Sequence, residues 1–157
     1  MAHNDFQHHD HGSCVSNAMQ AAERHCADAK LQFTPVRRAA LQILLSEHKA
    51  MGAYDMLAQL SSQGLGTAPP VAYRALDFLV SNGFAHKIEK LNAYIACAHP
   101  GAHHDPAFLI CTSCDAVAEA ATDPQAGQLG RAARAAGFEI EHAIFEAEGL
   151  CPSCKPA

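Results

Sequence analysis

Pro69-Pro70-Val71-Ala72-Tyr73-Arg74-Ala75-Leu76-Asp77-Phe78-Leu79-Val80-Ser81-Asn82-Gly83 carries the start, the stripe and the stop of one helix. Proline fits the opening positions, because the first N–H groups of a helix have no partner within it. Ala72, Leu76, Leu79 and Val80 recur at three- and four-residue steps and make one buried side. Asn82-Gly83 closes the helix by accepting the left-handed backbone. The other side carries Tyr73, Arg74, Asp77 and Ser81. Two uses fit that face. Arg pairs bidentately with a guanine edge and Tyr touches a thymine methyl or a phosphate, or the same two side chains cover a partner protein.

Upstream, residues 53–63 read as a helix after Gly52, with Tyr54, Leu57 and Leu60 turned inward; Gly64 and Gly66 stop it. Phe33-Thr34-Pro35 is a helix start, since Thr34 can accept from free backbone N–H groups and Pro35 needs no donor. Val36, Ala39, Ala40, Ile43 and Leu44 give that helix its apolar face. Before it, Val15, Ala18, Ala22, Cys26 and Ala29 mark an amphipathic helix over 15–30. Cys26 on that stripe reads as a small buried hydrophobe, while for Cys14 the sequence does not choose between packed and exposed. Downstream, 84–89 and 93–97 are extended runs divided by Lys90-Leu91-Asn92, a β-hairpin. Three helices, a fourth with an exposed Tyr-Arg face, and a hairpin form the pattern of a winged helix-turn-helix, which sets its fourth helix in the DNA major groove and its wing along the backbone.

Further along, Cys111-Thr112-Ser113-Cys114 and Cys151-Pro152-Ser153-Cys154 are two C-x-x-C knuckles. Four thiolates can converge on one structural zinc at Zn–S distances of about 2.3 Å. Thirty-six residues lie between Cys114 and Cys151, so a small subdomain must fold between the knuckles for the metal to clasp. Two disulfides, or two redox-active pairs, are the other uses of such motifs. The chain has seven cysteines in 157 residues, no signal-peptide pattern and no apolar run long enough to span a bilayer. These features point to a reducing, cytoplasmic setting and to metal rather than disulfides.

Net charge is −5 over the whole chain, but it divides unevenly: residues 16–90 carry +2 and residues 91–157 carry −5. The first half can face phosphates; the second is an acidic, metal-rich body. The expected organisation is α+β: a disordered His-rich tail over 1–14, a winged-helix domain over 15–97, a hinge over 98–106, and a second αβ domain with the four-cysteine clasp over 107–157. In that last part, 107–111 and 116–120 read as strands. A helix opens at Thr122-Asp123-Pro124 and runs to about 136, and Phe138, Ile140 and His142 alternate with Glu139 and Glu141 as a half-exposed strand. The adjacent Ile144-Phe145 breaks that alternation and suggests a bulge or a strand covered on both faces.

Four more donors lie apart in the chain: His86 and Cys97 in the wing strands, His104 in the hinge, and Glu119 after the first knuckle. Imidazole, thiolate and carboxylate together suit zinc, and the soft sulfur argues against magnesium, calcium or manganese. Such a site would bind its ion only in one relative orientation of the two domains, so binding would bias that orientation. Taken singly, His86 also reads as an ordinary wing histidine and Glu119 as a solvated strand carboxylate.

Thr34-Pro35-Val36-Arg37, the run from Pro69 to Leu79, Gly83-Phe84-Ala85-His86-Lys87-Ile88-Glu89, Asn92-Ala93-Tyr94 and Gly149-Leu150-Cys151 resemble the ferric uptake regulator superfamily. Within it they resemble most the zinc uptake regulator (Zur) branch, over about residues 16–154. The resemblance implies a homodimeric winged-helix repressor, dimerised through the C-terminal αβ domain. Loaded with zinc, such a regulator binds inverted-repeat operators of zinc-acquisition genes. It also implies that Cys111, Cys114, Cys151 and Cys154 hold structural zinc, that His86, Cys97, His104 and Glu119 form the regulatory site, and that Tyr73 and Arg74 read bases. At least two zinc ions per chain follow. Some members hold a third metal, for which His103, Asp105 and His142 are the nearest candidates. The chain departs from the family in Val71-Ala72, where Thr-Val is usual, and in Val36, where Gln is usual; both bear on phosphate contacts. The competing functions are an iron- or peroxide-sensing sister, which would favour nitrogen and oxygen donors over Cys97, and a zinc hydrolase with Glu119 as general base, which would need an open coordination position.

Overall fold

In the computed structural model, which describes residues 11–47, 49–101 and 104–156, the Thr34 side chain accepts from the Arg37 N–H at 3.4 Å, and Pro35 takes the first turn of the helix that follows. The described residues fall into two units, 11–101 and 104–156. The first holds α1 (His11–Asp28), α2 (Pro35–Ser46), α3 (Ala53–Ser62), α4 (Pro69–Ser81) and a hairpin of β1 (Ala85–Ile88) and β2 (Ala93–Ala96). The second holds β3 (Asp105–Cys111), β4 (Val117–Thr122), α5 (Gln128–Ala135) and β5 (Phe145–Gly149).

One apolar cluster holds the first unit together. Ala22 and Cys26 of α1, Ala40, Leu41 and Leu44 of α2, Met56 and Leu60 of α3, and Ala72, Leu76 and Leu79 of α4 are nearly or wholly removed from solvent. Each large side chain buried there contributes about 1.5–3 kcal/mol. Cys26 is the small buried hydrophobe expected, and burial raises its thiol pKa. Gly83 ends α4 at φ +74°, with the Phe84 N–H donating back to the Leu79 carbonyl at 2.9 Å. In the hairpin, His86 pairs with Ile95 and Lys87 with Tyr94. Because side chains alternate across a strand, Ala85, Tyr94 and Ala96 share the face packed on the helical cluster. His86 and Cys97 fall on the other face. Met51, just ahead of α3, adds two backbone hydrogen bonds of 2.8 Å to Tyr94.

The second unit is a three-stranded sheet with β3 in the centre, antiparallel to β4 and parallel to β5. Phe108 and Ile110 are buried on one face, and Phe108 stands between Glu119 of β4 and Glu146 of β5. Leu109, on the opposite face between Ala118 and Ala147, is 43% exposed.

Several expected details differ. α1 begins at His11, inside the span expected to be a disordered tail; residues 1–10 lie outside the described residues. Extending a formed helix costs little per residue and needs no apolar stripe, so polar residues can lengthen it, and Cys14 there is exposed. Tyr54 is 72% exposed rather than inward. The buried stripe of α3 is Ala53, Met56 and Leu60, and Tyr54 is rotated about 100° from Ala53 at 3.6 residues per turn. Val80 is exposed, since Leu76 and Leu79 already fill its side of α4. β3 starts at Asp105, within the expected hinge.

In the second unit, Asp123 accepts from the Gln125 N–H at 2.9 Å and builds a turn, so α5 begins only at Gln128. Residues 138–142 are not a strand: the β3 edge pairs with Phe145–Gly149 instead, and alternation without a ladder partner leaves backbone groups unpaired. The break at Ile144-Phe145 is the point where β5 begins.

Candidate functional site

The two knuckles follow strands that the sheet already aligns. β3 runs into Cys111, and the parallel β5 ends at Gly149, paired with Cys111 and two residues before Cys151. Thr112 donates to the Gly149 carbonyl from its N–H at 2.9 Å and from its hydroxyl at 3.2 Å. The Cys151 N–H points at Cys111 Sγ, 3.4 Å away. The four sulfurs of Cys111, Cys114, Cys151 and Cys154 lie within 4.8 Å of one another, and Cys114 Sγ is 3.9 Å from Cys151 Sγ. Zinc bound tetrahedrally at about 2.3 Å would hold its sulfurs about 3.8 Å apart. The donor set therefore fits a closed four-thiolate site, and all seven cysteines are free thiols.

Their protonation supports the same chemistry. The Cys111 thiol is lowered to about 6, chiefly by the Cys151 N–H, with the amides of Cys114 and Ser113 adding to it and burial opposing. The Cys114 thiol is raised: the Ala116 amide works against this, but the neighbouring Cys111 thiol and burial prevail. The Cys154 thiol is pushed up to about 12, with the Ser113 hydroxyl opposing and the sulfurs of Cys151 and Cys114 driving it. So many sulfurs in one place cannot all carry negative charge without a cation among them, and a metal bound there would replace the retained protons.

The other donors form two pairs, one in each unit. In the wing, Cys97 follows β2, its N–H held by the Phe84 carbonyl at 2.9 Å, and its sulfur accepts from the His99 N–H at 3.4 Å. A His86 ring nitrogen lies within 4.8 Å of that sulfur. In the second unit, His104 Nε2 is 2.6 Å from Glu119 Oε1, and Glu119 is buried. Asp105 and His142 stand 3.6 Å apart. His103 lies outside the described residues, and no third described His, Cys, Asp or Glu joins that pair.

On α4, Tyr73 is 41% exposed and Arg74 is exposed beside it. Tyr54 at the start of α3 is a further exposed aromatic of the helix-turn-helix, missed because its three-residue offset from Leu57 imitates a buried stripe.

Residues 28–147 match the Ferric uptake regulator family. The chain belongs to that family. Within it, the chain lies in the zinc uptake regulator branch. The zinc uptake regulation protein of Escherichia coli (strain K12) is 37% identical over 134 residues, which span 85% of this chain and 78% of that protein. A solved zinc uptake regulator complexed with zinc and DNA superposes with a TM-score of 0.80 at 34% identity, covering 89% of this chain and 94% of that one. The crystal structure of holo XcZur gives 0.76 at 39% identity, covering 87% and 95%. Membership in the family fits the architecture reached from the residues: helix-turn-helix, wing, and a sheet ending in paired knuckles.

Proposed function

We propose that this protein is a zinc-responsive, DNA-binding transcriptional repressor of zinc-uptake genes. The observation that carries the reading is the wing. A hairpin belonging to a DNA-reading fold holds a thiol and an imidazole within 4.8 Å of each other, on the face turned from its own helices. That donor pair suits zinc and not a hard cation. Relatives more than a third identical are zinc uptake regulation proteins, and a similar structure carries zinc and DNA.

The regulatory zinc takes His86 and Cys97 from the wing and His104 and Glu119 from the second unit. Neither pair alone completes a tetrahedron; four donors from two units do. Zinc is then held only where the units adopt one orientation, and it favours that orientation by its differential affinity. If the same geometry spaces two recognition helices on DNA, zinc and DNA strengthen each other's binding by one factor. A second zinc, on Cys111, Cys114, Cys151 and Cys154, closes the sheet of the second unit and plays no part in sensing. No ion is assigned to Asp105 and His142.

Zinc supplies cross-linking and charge here, and the chain's own residues do the recognition. Arg74 and Tyr73 meet base edges in the major groove, with Tyr54 at the adjoining helix start. Tyr and Arg offer a stacking surface and directed donors where Val71 offers no hydroxyl for a phosphate. The second unit exposes Leu109, Leu129, Phe138 and Ile144. Leu109 on the central strand offers an apolar face for a second copy of the chain. A two-fold dimer requires an inverted-repeat operator. No described helix is long and apolar enough to cross a membrane; a chromosomal DNA partner would call for a cytoplasmic protein. Cys97 weighs against an iron or peroxide sensor, and four protein donors leave no open position for hydrolysis.

The experiment is recovery of genomic DNA fragments by purified protein at buffered free zinc, with iron and manganese in parallel. Zinc-selective enrichment of fragments sharing an inverted repeat is expected. Enrichment with iron or manganese instead would move the protein to a sister branch, and none with any metal would remove the regulatory reading.

A further inference from the structure

Each knuckle of the second unit closes on itself. The Cys111 N–H donates to the Ala116 carbonyl at 2.9 Å, and the Cys111 carbonyl accepts from the Asp115 N–H at 3.0 Å. In the other knuckle the Cys151 carbonyl accepts from the N–H groups of Cys154 and Lys155, both at 3.0 Å. Such turns fix the two sulfurs within a pair and leave the separation of the pairs to the strands that carry them. β3 and β5 end together at the Cys111–Gly149 pairing, and the residue just past that point on the β3 side is Thr112. It donates twice to one acceptor, the Gly149 carbonyl, from its N–H at 2.9 Å and from its hydroxyl at 3.2 Å. A C-x-x-C turn does not require the second bond. Any residue but proline supplies the N–H there, whereas a hydroxyl donor on so short a stem belongs to Ser and Thr. Threonine is also stiff at χ1, which narrows the directions its hydroxyl can take.

From this arrangement, we propose that Thr112 is a positioning residue for the four-cysteine clasp: its hydroxyl holds the two knuckles at metal-binding separation before zinc arrives, and so raises the clasp's affinity for zinc. This rests on the reading of Cys111, Cys114, Cys151 and Cys154 as zinc ligands. A carbonyl held by two donors of one residue is restrained in direction as well as in distance. Direction matters here, because the chain has only Leu150 between that carbonyl's residue and Cys151. Knuckles free to pivot must be ordered at the moment of binding, which lowers affinity; in a stapled pair that ordering accompanies folding. Groups that orient metal ligands tune affinity in this way without touching the ion. Thr112 and Gly149 are exposed, so water competes for both and the hydroxyl's contribution is that of one modest hydrogen bond. Its consequence is a wider gap between the two zinc affinities. The clasp keeps its ion at free zinc that empties the regulatory site, and the fold of the second unit does not follow the signal.

The test is competition between the full-length protein and graded EDTA, following the zinc that remains after loosely held metal has been removed. Wild type, Thr112→Val and Thr112→Ser are compared, with thermal melts of the zinc-free samples alongside. Valine keeps the β-branched shape and the backbone N–H and removes only the hydroxyl; serine restores it. Thr112→Val should hold its last zinc about two- to twelve-fold less tightly, the reach of one hydrogen bond, and Thr112→Ser should recover most of that loss. A Thr112→Val protein that competes like wild type would overturn the inference. So would a Thr112→Ser protein as weak as Thr112→Val, since the methyl group and not the hydroxyl would then be responsible. A merely structural role would lower the melting temperature of zinc-free Thr112→Val and leave its competition curve unmoved, which overturns it as well. A wild type without tightly held zinc would remove the clasp reading itself, a separate failure.

Discussion

His104 Nε2 lies 2.6 Å from Glu119 Oε1, with both side chains largely withdrawn from water. A buried carboxylate is rarely kept without a compensating partner, and the imidazole supplies one while metal is absent. In the proposed regulatory site, zinc would bind this nitrogen and this oxygen as two of its four donors. Glu119→Ala and Cys97→Ser should therefore each abolish zinc-dependent DNA binding, a loss of about 5–150-fold in affinity at saturating zinc. The tightly held zinc should remain at its wild-type ratio. Fluorescence anisotropy on an enriched fragment and metal analysis of the same samples check this; a full zinc response in Cys97→Ser would reject the proposed regulatory ligands.

The knuckles make a prediction in protons. Between pH about 6 and 9, Cys111 is already a thiolate in the folded, metal-free protein, because its pKa is lowered to about 6 from 9.0. Cys154, pushed up to about 12, and Cys114, raised as well, still hold theirs. Zinc uptake should release protons from Cys114 and Cys154 but not from Cys111. As pH falls through about 6, Cys111 becomes protonated and adds one more proton per zinc, so affinity should fall more steeply with acid there. Indicator-dye titration in weak buffer at several pH values gives the count directly. A release independent of pH across 6 would contradict the assignment.

Removing the clasp metal should cost far more than removing the regulatory one. Structural four-ligand zinc sites supply about 10–16 kcal/mol of apparent binding free energy to folding, and the second unit is only a three-stranded sheet with one short helix. Cys151→Ser should lower the melting temperature of the protein sharply and abolish tight zinc. Calorimetry beside metal analysis decides, and a Cys151→Ser protein that melts like wild type would show the clasp to be dispensable.

On the reading face, Arg74→Ala should cost about 1–3 kcal/mol at one base-pair position and relax preference there. Equal loss on every sequence would make Arg74 a phosphate contact instead. Tyr54→Ala should weaken binding without lowering stability, because the side chain is mostly in water. Competition binding on single-substituted duplexes, with thermal melts of each variant, separates these outcomes.

Leu109 tests the assembly. It projects from the central strand between Ala118 and Ala147, on an apolar face that its own unit leaves partly open. Leu109→Asp should shift the protein from dimer to monomer in sedimentation velocity and lose operator binding while zinc remains bound to the knuckles. An unchanged dimer would place the interface elsewhere.

Much of this architecture was local enough to read from the chain. Thr34-Pro35, the Ala72-Leu76-Leu79 stripe and Asn82-Gly83 act within a turn or two of themselves, so capping, periodicity and backbone permissiveness fix α2 and α4 without distant help. The two C-x-x-C turns are likewise local devices that present paired sulfurs whatever surrounds them. Tyr54, Val80 and residues 138–142 differ from their local pattern for a common reason: burial and strand pairing depend on which neighbours share the space, and Ala53, Leu79 and Phe145 occupy those places. What the chain alone determined is the helices, the turns and the chemical identity of the donors. Only the tertiary structure decided that β3 and β5 run parallel and so end together with their sulfurs within 4.8 Å. It alone decided that Tyr94 and His86 face opposite ways across one hairpin, because register and face depend on pairing between segments far apart in sequence.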